Sequence, residues 1–244
     1  MVRINKYLAS CELGSRRKVE ELVNKGCVSV NNLICKDLST QIDPTNDIVR
    51  VNNKIVKYNH QKLFILLNKP RGYVVTKKDE YDRKTIYDLL PEFASKLHPV
   101  GRLDFESEGL LLLTNDGNMT NRITHPVYNI EKSYKVIVKG KMEMDKIIQL
   151  RNGIQLEKYK TQTAKVYLKN SSEEKSELKI TIKEGKNRQI RKMLDAVGHE
   201  VISLKRIQIG QIKLDKLPIG SWRFLKDIEI LYLLKQTKIK ETKV

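Results

Sequence analysis

The sequence predicts an α+β protein with two domains, and three observations support this. Residues 1–57 contain two segments with helical spacing of apolar residues, followed by short β-type segments. Residues 58–62 are polar and aperiodic, which is typical of a linker. Residues 63–235 mix alternating strand patterns with helical ones, and residues 236–244 form a basic tail that we expect to be disordered.

The first domain begins with two helices. Ile4, Tyr7 and Leu8 predict the first helix, and Gly14 ends it. Ser15 is a suitable N-cap for a second helix, whose apolar stripe is Val19, Leu22 and Val23. Short strands are predicted after it, at 27–30, 33–35, 48–51 and 54–56.

The start of the second helix is unusually basic. Arg16, Arg17 and Lys18 occupy its first turn, where each cation costs about 0.3–1 kcal/mol against the helix dipole. A segment that accepts this cost is suited to binding phosphate. The alternative is a solvated basic turn with no ligand.

The second domain alternates strands and helices along the chain. The predicted strands are 63–67, 73–76, 110–113, 131–138, 164–168, 177–183, 201–206 and 208–214. The predicted helices are 85–90, 118–124, 142–150 and one with the stripe Ile190, Met193, Leu194 and Val197. Trp222 and Phe224 are predicted to be core or edge residues.

The charge balance indicates a polyanionic partner. The 244 residues include 47 Lys and Arg against 29 Asp and Glu, a net charge of +18. Nucleic acid is the first candidate and an anionic membrane surface is the second.

The sequence also predicts the location of the protein. No apolar run approaches the ~18 residues of a spanning helix, and the N-terminus lacks a signal peptide's apolar core, so we expect a cytoplasmic protein. Cys11, Cys27 and Cys35 lack metal-ligand spacing and are predicted to be free thiols.

Two constellations could carry chemistry. The loop from Gly101 to Gly109 holds Arg102, Asp104 and Glu106 directly before an apolar strand. A carboxylate can act there as a nucleophile or base if cations keep it ionised, although Asp104 could also simply pair with Arg102 on the surface. The second constellation, Gly185 to Leu194, places four cations at a helix start, namely Lys186, Arg188, Arg191 and Lys192.

The common nucleotide, metal and serine-hydrolase motifs are absent from the sequence. There is no Gly-x-x-x-x-Gly-Lys-Ser/Thr, no Gly-x-Gly-x-x-Gly and no Gly-x-Ser-x-Gly. The four histidines form no ligand cluster with cysteine. What remains is a carboxylate among cations that suit a polyanionic partner.

The N-terminal segment resembles an S4 domain, a small αL-type RNA-binding fold. The resemblance rests on Arg3-Ile4-Asn5-Lys6-Tyr7-Leu8-Ala9, on the run from Gly14 to Val23, and on Gly26-Cys27-Val28-Ser29-Val30-Asn31. It implies an RNA-binding surface, for which we expect contacts from Arg3, Lys6, Arg16, Arg17 and Lys18.

Three later segments resemble the signatures of RNA pseudouridine synthases of the RsuA, RluB, RluE and RluF family. They are Gly101-Arg102-Leu103-Asp104, Glu131-Lys132-Ser133-Tyr134 and the run from Gly185 to Met193. The flanking runs from Leu66 to Gly72 and from Glu108 to Gly117 also agree. Two departures are Ser133, where Thr is frequent, and Lys186, where Arg is frequent. The Gly14-Ser15-Arg16-Arg17-Lys18 run and the length look most similar to the RluB-type members, which act on large-subunit rRNA.

The resemblance implies a fold and a set of roles. The second domain would have a central, mainly antiparallel sheet flanked by helices. Asp104 would be the nucleophile, Arg102 would displace the target base, Tyr134 would stack on the flipped uracil, and Arg191 would pair with Asp104, with Arg188 as a second choice. Glu106 would be a structural loop residue. Further RNA contacts are expected from Lys69, Arg71, Lys186, Arg188 and Lys192.

The implied activity is isomerisation of uridine to pseudouridine in rRNA, with 23S rRNA as the expected target. It needs no metal or organic cofactor, because uracil is only detached and rejoined. The expected partner is free rRNA or a ribosome assembly intermediate, bound by a monomer without a membrane. The alternatives are a 16S rRNA pseudouridine synthase, and a non-catalytic S4-type RNA-binding or ribosome-assembly protein.

Overall fold

The computed structural model describes residues 1–11, 13–57 and 61–236. The chain forms two compact units, Met1–Lys62 and the chain from Leu63 onward. Within the described ranges, no helix has both the length and the apolar character needed to cross a membrane.

The N-terminal unit packs two helices against short strands. Its elements are β1 (Val2–Arg3), α1 (Ile4–Ser10), α2 (Arg16–Asn24), β2 (Val28–Val30), β3 (Leu33–Ile34), β4 (Gln41–Ile42), β5 (Val49–Val51) and β6 (Lys54–Ile55). β1 pairs with β4, and a second sheet has the order β3-β2-β5-β6. Ile4, Leu8, Val19 and Val23 are fully buried, which confirms the two predicted apolar stripes. Ser15 caps α2, as predicted, by accepting a hydrogen bond from the Lys18 amide.

The C-terminal unit is built on one large sheet. Its strands are β7 (Phe64–Lys69), β8 (His98–Pro99), β9 (Glu108–Thr114), β10 (Lys132–Lys139), β11 (Gln155–Leu156), β12 (Tyr159–Lys160), β13 (Lys165–Ser171), β14 (Lys175–Ile182), β15 (Val201–Ile209), β16 (Ile212–Lys213) and β17 (Trp222–Phe224). Its α-helices are α3 (Gly117–Thr124), α4 (Met144–Asn152), α5 (Gln189–Asp195) and α6 (Asp227–Gln236). Short 3₁₀ helices span Ile86–Leu89, Glu92–Lys96 and Pro126–Tyr128.

The sheet is mainly antiparallel, as the family resemblance implied. Its main path has the order β13-β14-β10-β15-β9-β7-β17, with β8 and β16 pairing from the side. The join between β9 and β15 is parallel and short, because the paired positions are Lys205 with Glu108 and Arg206 with Gly109. The other pairings among the described strands of this sheet are antiparallel. The parallel join therefore connects two antiparallel halves.

Different helices pack on the two faces of this sheet. One apolar core packs Tyr134, Val136 and Val138 of β10 with α4 and α5. A second core, around Leu66 and Leu112, packs α3 and α6 on the other face of β7 and β9. β7 and β9 are therefore buried on both faces, which explains their continuous apolar sequences.

Three sequence-based assignments need correction. The predicted strand 73–76 makes only an isolated bridge, from Val74 to Thr85, in the described chain. The predicted helix after Thr85 is a 3₁₀ helix. Gln236, which we assigned to the tail, ends α6, a helix that the sequence did not predict. The rest of that tail, 237–244, and linker residues 58–60 lie outside the described residues.

Candidate active site

The loop between β8 and β9 carries the predicted nucleophile. Leu103 is buried in the core, whereas Asp104 is half-buried and Arg102 is exposed. Asp104 and Arg102 do not form the surface ion pair that the sequence left open, because among the described residues no such pair lies within 4.0 Å. The apolar anchor at Leu103 thus fixes the loop while the two charged side chains point away from the core.

Four consecutive backbone carbonyls of this loop accept hydrogen bonds from other parts of the unit. The Lys69 ammonium donates to the carbonyl oxygens of Asp104 (3.2 Å) and Ser107 (2.8 Å). The Gly72 amide donates to the Phe105 carbonyl at 2.9 Å. An Arg191 Nη donates to the Glu106 carbonyl at 3.2 Å. Hydrogen bonds at these four carbonyls keep the Asp104 backbone in one position, which is the preorganisation that a reactive side chain needs.

Lys69 is not an RNA contact, and that prediction is wrong. Its side chain is completely buried, because it ends β7 beneath the loop and donates to the Pro70, Asp104 and Ser107 carbonyls. Burial lowers the pKa of Lys69 to about 8, against the opposing effect of the Asp104 and Glu108 carboxylates. A buried ammonium on three carbonyls positions the loop and cannot reach a phosphate.

Tyr134 lies next to a buried arginine. Tyr134 on β10 pairs in register with Arg206 on β15, so both side chains project on the same face of the sheet. Tyr134 is 7% exposed and Arg206 is 3% exposed. The Arg206 Nε donates to the Leu110 carbonyl at 2.7 Å, which ties β15 to β9 beside the loop. Burial, with Arg206 nearby, also lowers the pKa of Lys132 to about 8.

A groove of about 610 Å³, lined by four cations and by the carboxylates of Glu106, Asp195 and Glu200, opens beside the loop. It is lined by Phe105 and Glu106 and by four predicted site residues, namely Arg71, Arg188, Arg191 and Lys192. Asp104, Tyr134 and Arg102 do not line this groove, although Asp104 directly precedes Phe105. The structure therefore brings three of the predicted RNA-contacting cations, Arg71, Arg188 and Lys192, into a groove whose wall begins one residue after the predicted nucleophile.

Arg191 contacts a different carboxylate from the one predicted. Its Nη lies 3.9 Å from a Glu106 carboxylate oxygen, and Arg188 lies 3.5 Å from the same oxygen. No ion pair to Asp104 is present among the described residues, so the predicted Arg191–Asp104 pair needs correction. The reason is geometric, because Arg191 also binds the Glu106 backbone and is thereby held at that residue. Burial lowers the pKa of Arg191, and the Glu106 and Asp104 carboxylates oppose this effect.

The remaining predicted cations lie at the surface. Lys186 is exposed, and its ammonium sits over the Tyr159 ring, 3.3 Å from the ring centroid. In the N-terminal unit, Arg3, Lys6 and Arg16 share a groove of about 330 Å³. The neighbouring Arg17 and Lys18 are exposed, so the basic helix start is accessible.

Sequence patterns missed three residues of the C-terminal site. Phe105, 45% exposed in the groove, directly follows Asp104, and an exposed aromatic beside a candidate nucleophile was a usable signal. Ile202 lies in the groove because β15 is irregular there, and Arg206 is buried by its strand register. No local sequence signal marks either of those two. Among the described residues, no three His, Cys, Asp or Glu side chains are grouped so that they could hold a metal ion.

Known proteins resemble this chain over nearly its full length. The sequence profile described as RNA pseudouridylate synthase matches residues 63–196, and the S4 domain profile matches residues 2–49. An uncharacterized RNA pseudouridine synthase of Aquifex aeolicus is 40% identical over 98% of this chain and 96% of its own length. The ribosomal large subunit pseudouridine synthase B of Bacillus subtilis is 39% identical over 94% of each chain.

The fold comparison agrees with the sequence comparison. A crystal structure of a pseudouridylate synthase superposes with a TM-score of 0.70 at 32% identity, covering 96% of this chain and all of its own. Matches of this identity and coverage, together with the two profiles, establish the family and the kind of reaction. The chain belongs to the RNA pseudouridine synthases, and it carries an S4 domain at its N-terminal end.

Proposed function

We propose that this enzyme isomerises a specific uridine of ribosomal RNA, in the large-subunit 23S rRNA, with Asp104 as the nucleophile. The observation that carries the proposal is the loop from Asp104 to Ser107, in which each carbonyl is held by a donor from another part of the unit. The large-subunit target is supported by the Bacillus subtilis relative, whose name specifies that subunit.

The side chains around the loop divide into three roles. Asp104 supplies the carboxylate that attacks the target nucleotide, and Tyr134 stacks on the flipped uracil, a contact worth about 1–3 kcal/mol. Arg102, which is exposed, enters the RNA to displace the base. Arg71, Arg188 and Lys192 line the groove and bind the phosphates on either side of the target.

Arg191 acts mainly through the loop in this proposal. Its hydrogen bond to the Glu106 carbonyl fixes the backbone two residues after Asp104. Burial lowers the pKa of Arg191, and the nearby Glu106 and Asp104 charges oppose this effect. Arg191 therefore positions the nucleophile through the loop backbone.

The test compares two neutralising variants of the same loop. Unmodified 23S and 16S transcripts are incubated with wild type, Asp104→Asn or Glu106→Gln, and pseudouridines are mapped by carbodiimide chemistry. We expect one new site in 23S rRNA with wild type and none with Asp104→Asn. Glu106→Gln should reduce activity about tenfold or less, because the Glu106 backbone carbonyl still accepts from Arg191.

The outcomes separate the alternatives. Modification of 16S rRNA alone would reassign the substrate and leave the chemistry intact. RNA binding without any pseudouridine from wild type would favour a non-catalytic assembly protein. Full activity of Asp104→Asn would remove Asp104 from the mechanism.

A further inference from the structure

One face of the large sheet carries lysines in register. On β10 the side chains of Tyr134, Val136 and Val138 are buried on one face, and Lys135 and Lys139 are exposed on the other. Lys135 lies directly opposite Lys179 of β14, and Lys139 lies opposite Lys175. On the other side of β10, Lys135 pairs with Lys205 of β15. We call Lys135, Lys139, Lys175, Lys179 and Lys205 the lysine face.

These lysines are poorly compensated. Like charges directly opposite each other on neighbouring strands destabilise a sheet. Glu177 binds Lys135 at 2.9 Å, but among the described residues no carboxylate lies within 4.0 Å of the other four ammonium groups. The sheet thus carries an unneutralised positive face that its own stability does not require, which is typical of a surface that meets a polyanion.

An aromatic side chain completes the central row. Tyr167 of β13 pairs with Lys179 and is 51% exposed. The row Lys205, Lys135, Lys179 and Tyr167 therefore crosses four adjacent strands, a distance of roughly 14 Å at ~4.8 Å between strands. Lysines beside an exposed aromatic ring suit single-stranded nucleic acid, in which phosphates and bases alternate along the chain.

We propose that the lysine face is a second RNA-binding surface, which holds a part of the substrate distant from the target uridine. It lies on the opposite side of the sheet from Tyr134, because residues 134 and 135 project to opposite faces of β10. The inference rests on the proposed function for the identity of the RNA, but its binding test does not depend on catalysis.

The first experiment removes the central charges. The variant Lys135→Gln/Lys179→Gln/Lys205→Gln is compared with wild type in fluorescence-anisotropy titrations of a long 23S fragment and of a short stem-loop, over a range of salt concentrations. Affinity for the long fragment should fall about tenfold or more. The slope of log K against log salt should decrease by about 2, because each phosphate of a single strand that the protein neutralises contributes ~0.7 to that slope. Binding and turnover of the short stem-loop should not change.

A charge-matched variant controls for net charge. Lys146→Gln/Lys216→Gln/Lys226→Gln removes the same charge from surface lysines outside the lysine face. It should bind the long fragment as wild type does. An equal decrease in affinity in both variants, or an unchanged salt slope in the lysine-face variant, would overturn the proposal. Thermal unfolding of the lysine-face variant should occur close to the wild-type temperature, because the removal of two like-charge pairs offsets the loss of the Lys135–Glu177 ion pair.

The aromatic contact and the other candidate partner are tested separately. Tyr167→Leu should weaken binding of the long fragment about fivefold without changing the salt slope, because stacking involves no counterion release.

Sedimentation with phosphatidylserine vesicles tests whether this face binds membranes instead of RNA. Vesicle binding that the triple variant abolishes, with RNA binding intact, would assign this face to membranes instead. If wild type forms no pseudouridine but the triple variant still has a lower salt slope for RNA binding, the proposed function is refuted. The lysine face would remain an RNA-binding surface.

Discussion

A buried lysine supports the reactive loop from below. Lys69 places one ammonium on three carbonyls, and two of these belong to the loop that contains Asp104. Below about pH 8 the arrangement keeps a cation near the carboxylate without exposing that cation to competing phosphates. Burial of a charged group is costly, however, and this cost makes the stability of the loop dependent on pH.

The lowered pKa of Lys69 predicts the sign of that dependence. The folded protein releases the Lys69 proton near pH 8, whereas an ordinary lysine holds it to 10.5. Between these values the unfolded chain binds more protons, so the free energy of unfolding should rise with pH. We expect wild type to gain about 1–3 kcal/mol relative to Lys69→Met between pH 8 and 10.5, and nothing below pH 8.

Urea unfolding of both proteins at several pH values measures this difference. The similar shift of Lys132 is common to both chains and cancels. If the free energy of unfolding of wild type fell relative to that of Lys69→Met as the pH rises, Lys69 would not be buried as a charged group. At pH 7 Lys69→Met should also turn over more slowly, because two carbonyls of the loop no longer have their donor.

At the scale of elements, the short parallel join between β9 and β15 is the critical contact. Gly109 has φ +105°, and a Cβ built on it would overlap the backbone carbonyl oxygen of Arg206. The two strands can approach each other only because this residue has no side chain. The join also positions both Arg206 and the end of the loop, so its geometry affects the site directly.

Gly109→Ala should therefore destabilise the protein strongly. We expect the free energy of unfolding to fall by about 2–5 kcal/mol, from backbone strain and from overlap with Arg206 together. The matched control is Gly140→Ala, which has φ +79° but no atom within 4 Å of the added Cβ. There the decrease should be only about 1–2 kcal/mol, from strain alone. Equal decreases in chemical denaturation would mean that the close approach of β9 and β15 is not limiting.

Sequence patterns predicted the helices and strands better than they predicted which strands pair with each other. The alternation on β10 and β14 and the helical stripe of Ile190, Met193 and Leu194 are local signals, and the structure contains those elements. The parallel pairing of β9 with β15 depends on residues nearly a hundred positions apart, and periodicity does not encode it. The contacts of Arg191 are also long-range. The spacing of Asp104 and Glu106 along the loop therefore could not show that Arg191 contacts Glu106.

Two elements were misjudged because local pattern and tertiary context disagree. Tyr73 to Thr76 has a strand-like composition but finds only one bridging partner within the described residues. α6 was missed although it is rich in apolar residues, and Ile228 and Leu231 on it are 74% and 55% exposed. An apolar segment near the chain end thus formed a helix that leaves part of its apolar surface in solvent.

For the whole molecule, the net charge of +18 is distributed over both units. The N-terminal unit contributes the accessible basic start of α2, and the C-terminal unit contributes the groove beside the loop. We expect this charge to make affinity for RNA strongly dependent on salt, since each phosphate contact releases counterions.

The N-terminal contribution can be measured independently. Arg16→Ala/Arg17→Ala should weaken RNA binding and reduce the salt slope by about 1–2, while the turnover of saturating substrate stays close to wild type. Lys36→Ala/Lys54→Ala removes the same charge from exposed positions elsewhere in this unit and should have little effect. Identical slopes for the two variants would indicate that the basic start of α2 is only solvated.

The order of the strands also has a consequence for synthesis. β17 lies beside β7 at one end of the sheet and pairs Trp222 with Leu67 and Phe224 with Ile65. The last described strand of this unit therefore pairs with its first strand. Most of the chain must leave the ribosome before that happens, and until then the apolar edge of β7 has no strand on that side. A nascent chain stalled before Trp222 should therefore be prone to aggregation and should need chaperones. The chain should reach its final protease resistance only after β17 has left the ribosome and paired with β7.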